Sequence, residues 1–225
     1  MQHPVDIRQA AVGILLAGGG STRLASFAEA TGGGKALLMF QGETFLEHVA
    51  AAVAAEVGQT IVVAAPEQPL PDLGPTLVVC DSTPGAGPLA GIRDGLRAAL
   101  AADRGGCPPP RLAFVASCDL PLLRREVVRL LLDVAGKSDA VWTVPIVHGH
   151  RQVLVSVMHV DLLPRIEAWL ATGRRDLRGL WHEIYRDDPR SVCEVTEAEC
   201  KAVDPELVSF IDIDTPDDLQ RLQSR

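Results

Sequence analysis

Short apolar runs alternate with stretches of helical periodicity along most of this 225-residue chain. Residues 12–17 (VGILLA), 60–65 (TIVVAA), 76–80 (TLVVC), 112–117 (LAFVAS), 140–145 (AVWTVP), 153–157 (VLVSV) and 209–213 (SFIDI) read as strands. Most are apolar at nearly every position rather than at every second one, as parallel strands covered on both faces are. Thr44 and Glu47 form a capping box ahead of Leu46, Val49, Val53 and Val57, which recur at helical spacing and stop near Gly58. Leu89, Ile92, Leu96 and Leu100 repeat the period before Gly105 and Gly106, and Leu123, Val127, Leu130, Leu131 and Val134 repeat it before Gly136. Ile166, Trp169 and Leu170 mark a fourth helix, and Leu177, Leu180, Trp181 and Ile184 a fifth. The last helix opens on Thr215, Pro216, Asp217 and Asp218: a capping hydroxyl, a proline at the first helical position and acids at the positive end of the dipole.

This alternation predicts an α/β fold, a doubly wound and mostly parallel sheet of the Rossmann-like type. After about residue 145 the pattern is less regular, and two closely spaced apolar runs there predict an antiparallel edge element. The Gly/Pro stretch 105–110 reads as a loop before a strand, so residues 1–225 are expected to form a single domain.

Composition narrows the class. Apolar residues make up 47% of the chain, too many for disorder. Residues 1–11 carry His3, Asp6 and Arg8 in place of an apolar signal core, and no apolar run approaches the roughly 20 residues that span a bilayer. A soluble, cytoplasmic protein with no membrane partner is the expectation. Five cysteines (Cys80, Cys107, Cys118, Cys193 and Cys200) lie at irregular spacing with no CxxC pair, so they read as reduced, small apolar residues. A net charge of −8 argues against nucleic acid as a partner, but a polyphosphate needs only local cations.

Ligands of such a sheet sit beyond the carboxyl ends of its strands. The first predicted strand runs into Leu16, Ala17, Gly18, Gly19, Gly20, Ser21, Thr22 and Arg23. Glycines there let backbone N–H groups approach a phosphate, and an arginine can clamp its oxygens. It is not a P-loop: Lys35 has Glu29 where the first glycine belongs and is followed by Ala36. Nor is it a dinucleotide fingerprint, since Arg23 stands where the last glycine is required and Leu24 and Ala25 follow. Asp119, at the tip of the 112–117 strand and ahead of Leu120-Pro121, is placed to hold Mg²⁺ against a triphosphate. Its competing reading is a helix N-cap. Asp212 and Asp214 add two acids that an extended strand would point to one face.

On these residues the chain resembles the MobA-like nucleotidyltransferases, which attach GMP or CMP to molybdopterin. The matching motifs are residues 16–23 (LAGGGSTR) with Lys35, residues 87–92 (GPLAGI), residues 118–123 (CDLPLL) and residues 212–219 (DIDTPDDL). Residues 152–157 (QVLVSV) and 173–178 (GRRDLR) resemble the family's acceptor side. The resemblance implies that Gly18, Gly19, Gly20 and Arg23 cradle the β- and γ-phosphates, with Lys35 at the α-phosphate and Leu16 and Ala17 also on the nucleotide-binding loop. It implies Asp119 and Asp214 as Mg²⁺ ligands, with Asp212 an alternative second one, and Asp81 in contact with the nucleotide. Arg174, Arg175 and Arg178 would meet the acceptor. The substrates so implied are an NTP, with GTP foremost, and a molybdopterin-type phosphate.

The chain departs from the family in three places. Its loop from Leu24 to Gly34 is longer, Leu24-Ala25 stands in for Met-Gly, and Asp212 and Asp214 stand in for asparagines. The long loop is expected to close as a lid over bound nucleotide. Two alternatives stay open: the same fold acting on a sugar phosphate or phospholactate, and a non-catalytic nucleotide-binding protein.

Overall fold

A computed structural model describes residues 10–18, 34–102 and 108–223. The first strand, β1 (Ala11–Leu16), is buried at all six positions. It lies between β4 (Gln59–Ala64) and β6 (Leu112–Ser117), parallel to both, in the register Ile14↔Ile61 and Leu15↔Ala116. β5 (Leu77–Cys80) extends the sheet parallel to β4. On the far side of β6 come β9 (Val155–His159), β7 (Trp142–Val147) and β10 (Val192–Val195), so the sheet reads β10-β7-β9-β6-β1-β4-β5. β9 runs antiparallel to both neighbours, while β10 pairs parallel with β7.

The two apolar runs expected to form an antiparallel edge element are β7 and β9, which pair antiparallel but inside the sheet, with β10 at the edge; a short β8 (His150–Arg151) pairs with β7 off the main path. A two-residue turn joins them, with φ of 51° at His148 and 75° at Gly149, the backbone of a type I′ hairpin. A further two-stranded hairpin, β2 (Met39–Phe40) with β3 (Glu43–Thr44), stands apart from the main sheet.

Alternation along β1 builds two cores. Leu15 faces Leu46, Val49 and Val53 of α1 (Phe45–Ala54) and Val127 and Leu131 of α3 (Arg125–Lys137). Val12, Ile14 and Leu16 face Leu89, Ile92 and Leu96 of α2 (Pro88–Ala101), in a core shared with α4 (Leu163–Ala171) and α5 (Leu177–Asp187). Two glycines set the contact distance. A Cβ on Gly13 would lie 2.3 Å from Val53 Cγ1, and one on Gly95 would lie 2.5 Å from Ile14 Cγ2. Any side chain at either position would push a helix off the sheet.

The predicted box at Thr44 and Glu47 caps α1, and Thr215 and Asp218 form its equivalent for α7 (Pro216–Gln223). Two expectations fall short. Residues 209–213 are not a strand: a 3₁₀ turn covers Val208–Phe210 and the chain then runs extended without a ladder. The Ser209 N–H is taken by the buried Asp204 carboxylate at 2.8 Å, and the Ser209 hydroxyl accepts from the Arg124 N–H at 3.0 Å. Polar groups that would feed a ladder are thereby diverted to side chains. The second shortfall is β10 with α6 (Glu197–Val203), which the periodicity did not mark. The signal was there in Thr196 and Glu199, a capping box that the structure forms. No described helix is long and apolar enough to cross a membrane.

Candidate active site

The strand sequence moves outward from β1 through β4 to β5, then jumps to β6 on the other side of β1. The reversal puts the crevice at the carboxyl ends of β1 and β6, where Gly18 and Asp119 follow their strands. The two ends are tied together: Cys118 N–H donates to Leu16 O at 3.1 Å, and Ala17 N–H donates to Val63 O at 2.9 Å. Gln68 bridges the neighbouring loop. Its Nε2 donates to Ala17 O at 2.9 Å, and its Oε1 accepts from Ala65 N–H at 3.0 Å. Leu16 O and both polar backbone groups of Ala17 are therefore engaged inside the protein. These bonds fix the point from which the following loop departs. Gly19, Gly20 and Arg23, and the segment through residue 33 expected to act as a lid, lie outside the described residues.

Lys35 returns to the crevice on a 3₁₀ turn, Lys35–Leu37. Its ammonium donates to Asp119 Oδ2 at 3.2 Å and also to Asp214 Oδ1. A small third core brings the partners together. Leu38, Phe40 and Phe45 from the lysine's side pack against Ile213, Leu219 and Leu222 from the side of Asp214. Ile213 N–H closes the arrangement by donating to Asp119 O at 2.9 Å. The competing N-cap reading of Asp119 fails, since the residue capping α3 is Arg124.

Burial alone would pull the Lys35 pKa down. The hydrogen bond that Lys35 donates to Asp214 and the charges of Asp119 and Asp214 outweigh it, and the pKa ends above the ordinary lysine value. The Asp212 pKa is raised as well, which for a carboxyl disfavours the charge: burial is the main cause, with the charges of Asp214 and Asp119 adding to it. Cys118 is buried beside Asp119, and its thiol is pushed up to about 12, which leaves it an inert apolar filler.

Two carboxylates that converge on one ammonium fit a hard cation. Among the described residues no group of three or more His, Cys, Asp or Glu side chains forms a metal cage. A pair suits Mg²⁺, which keeps waters and takes phosphate oxygens as its other ligands.

Asp81 follows β5, with its N–H bonded to Ala64 O at 2.7 Å and its carboxylate accepting from Thr83 N–H at 2.8 Å. This loop is held from below by Asp94, a residue that the motif reading passed over. Asp94 is 6% exposed, accepts from Ser82 N–H at 2.8 Å and pairs with Arg93 at 2.8 Å, while Arg93 also donates to the hydroxyls of Ser82 and Thr83. An acid inside the otherwise apolar helix pattern of Leu89, Ile92 and Leu96 was the available signal.

The three expected acceptor arginines part company. Arg174 lies over the Trp169 ring at 4.5 Å and 3.6 Å from Glu183, so it is occupied by its own helices. Arg175 has an exposed side chain, and its carbonyl abuts Gly87 ahead of α2. Arg178 alone reaches the crevice, lining a cleft of about 180 Å³ with Asp119 and Asp212. Arg151 lines the same cleft and was missed, because one arginine after a hairpin turn carries no motif.

The MobA-like NTP transferase domain family matches residues 13–187. A Mycobacterium tuberculosis protein named "Probable molybdenum cofactor guanylyltransferase" is 36% identical over 170 residues, covering 75% of this chain and 77% of that protein. In three dimensions the molybdopterin-guanine dinucleotide biosynthesis protein A of Archaeoglobus fulgidus is similar with a TM-score of 0.74 at 23% identity, over 95% of this chain and 97% of that one. A Mycobacterium tuberculosis protein crystallised with manganese shares the fold with a TM-score of 0.61 at 18% identity, over 95% of this chain and 98% of that one.

Proposed function

This chain belongs to the MobA-like NTP transferase family, and we propose that it transfers GMP from GTP to the phosphate of a molybdopterin acceptor, with Mg²⁺, releasing pyrophosphate. The observation that carries the reading is the meeting of Lys35, Asp119 and Asp214 at the switch point, beside a cleft lined by Arg178.

The acceptor phosphate is anionic at neutral pH, so it needs no strong general base. One of its oxygens bonds to the α-phosphorus as the bond to the β-phosphate bridging oxygen breaks, and the pyrophosphate carries that electron pair away. What this chain must supply is alignment and neutralisation of charge. Lys35 meets the α-phosphate, Arg23 and the glycines that precede it hold the β- and γ-phosphates, Asp81 contacts the nucleoside half, and Arg178 draws in the acceptor. Asp119 and Asp214 would hold Mg²⁺, which when bound neutralises the triphosphate oxygens.

The test mixes the protein with molybdopterin, Mg²⁺ and each of the four triphosphates in turn and measures pyrophosphate. GTP should give the highest rate. Absence of pyrophosphate with all four, from protein shown to be folded, would overturn the reading.

A further inference from the structure

Arg151 stands where no motif pointed, and its surroundings hold it like a tool. It closes β8, opposite Ile146 of β7. Its guanidinium carbon lies 3.7 Å from the centroid of the Trp181 ring, and its Nε donates to Glu194 Oε1 of β10 at 2.7 Å. One face is thus covered by indole and one edge is used by a carboxylate. Among the described residues the two terminal nitrogens have no hydrogen-bond acceptor.

Two hollows adjoin at this residue. One, of about 180 Å³, holds Asp119, Asp212 and Arg178. The other, of about 200 Å³, holds His150, Trp181 and His182. Arg151 and Arg178 line both.

We propose that Arg151 is an acceptor-binding residue that grips a phosphomonoester with its terminal nitrogens, and that Trp181 and Glu194 position it for this. The inference rests on the reading given above and adds the group that recognises the nucleophile. Strand order supports the assignment to acceptor rather than nucleotide. Gly18 and Asp81 follow β1 and β5 on one side of β6, whereas Arg151 belongs to the β7 side. Asp119, at the tip of β6, lies between. In-line displacement needs the attacking and leaving groups on opposite sides of the reacting phosphorus, and this order provides two such sides.

Charge points the same way. A dianionic phosphate approaching Asp119 and Asp212 meets repulsion, which the guanidinium groups of Arg151 and Arg178 offset. An arginine suits the place better than a lysine, because it can stack on an indole and still present a planar fork.

The test uses the full chain holding Mg²⁺ and a non-hydrolysable GTP analogue, titrated calorimetrically with phenyl phosphate and, as control, phenyl sulfate. Phenyl phosphate should bind more tightly than the monoanionic sulfate. Arg151→Gln should weaken it by about tenfold or more, the loss of a charge-assisted bidentate contact. Arg151→Lys should recover only part of that affinity, and Glu194→Gln should show a smaller loss, with the affinity for the GTP analogue unchanged in all three variants. In the transfer assay Arg151→Gln should raise the acceptor KM and leave the GTP KM in place. An unchanged phenyl phosphate affinity in Arg151→Gln, full rescue by lysine, or a parallel loss of the GTP analogue would overturn the proposal. Should molybdopterin prove inactive while phenyl phosphate binding still depends on Arg151, the arginine site stands and the proposed acceptor falls.

Discussion

Lys35 and Asp119 are 84 residues apart in the chain, yet the lysine ammonium lies 3.2 Å from the aspartate carboxylate. The pair joins the loop after β1 to the tip of β6, the two halves of the crevice. Asp119 holds no helix end and no turn with its side chain; Lys35 is its partner. Its replacement should therefore spare folding. Asp119→Asn is expected to keep a melting temperature within a few degrees of the parent, since the carboxylate is 21% exposed and partly screened by water. Turnover with Mg²⁺ should fall by about a hundredfold or more, the scale of losing a metal or charge-stabilising group. Calorimetry and a pyrophosphate assay check the two halves, and near-parental activity would remove Asp119 from the site.

The arginines that follow Gly173 should separate in kinetics as they do in space. Arg178 faces the cleft of Asp119, whereas Arg174 is spent on Trp169 and Glu183. Arg178→Gln should raise the acceptor KM by about tenfold. Arg174→Gln should leave that KM alone and lower stability by about 1 kcal/mol or less, as for an exposed pair with one cation–π contact. Equal effects on the acceptor KM would mean that the two act as one basic surface.

Asp94 predicts an acid limb in stability. Burial works against its charge, but the Arg93 guanidinium and the Ser82 N–H hold its carboxyl below the ordinary aspartate range. The folded pKa is depressed relative to the unfolded chain. The stability it supplies is therefore present above the ordinary value of 3.8 and is lost as pH falls through the lower folded pKa. Asp94→Asn should cost about 1.5–3 kcal/mol at neutral pH, the range for hydrogen bonds to a charged group. The gap between variant and parent should narrow below about pH 4, where the parent loses the same charge. Denaturant curves taken from pH 3 to pH 7 read both effects, and a gap constant with pH would show that the charge of Asp94 is not what holds the loop.

Where the sequence spoke clearly, each signal was local and periodic. Val12, Ile14, Leu15 and Leu16 announce a strand buried on both faces because no solvent-facing register interrupts them, and the structure buries all four. Thr44 with Glu47 announces a helix start because both halves of the capping box lie within one turn. The reversal of strand order beside β1 follows from strand alternation, and it sets the crevice at the ends of β1 and β6. The insertion of β9 between β6 and β7 does not follow from it, since its direction is set by long-range pairing. The same limit hid Gln68 and Arg151, whose roles depend on residues 51 and 43 positions away. Residues 209–213 misled for another reason. Ser209 and Phe210 look like strand residues, but a buried acid, Asp204, captures the backbone first.

The ammonium of Lys35 occupies the place between Asp119 and Asp214 that a hard cation would take. Its side chain is 9% exposed and its pKa is raised, so it stays charged through the neutral range and acts as the internal counter-ion of the two acids. A divalent ion arriving without nucleotide has to compete with it. A triphosphate changes the balance, because its oxygens offer the ammonium another partner and the metal further ligands. Lys35→Met keeps a similar stem and removes the charge. The variant should then bind Mn²⁺ more tightly than the parent in the absence of nucleotide, by about tenfold, which corresponds to about 1.4 kcal/mol of relieved competition. Its melting temperature should start lower, from repulsion between Asp119 and Asp214, and should rise more on adding Mn²⁺ than the parent's does. Electron paramagnetic resonance of free Mn²⁺ measures the affinity directly, without reference to turnover. With the Asp119→Asn change added, the gain in Mn²⁺ binding should disappear. Unchanged or weaker Mn²⁺ binding by Lys35→Met would mean that the lysine does not stand in the cation's place and that the two acids do not act as a pair.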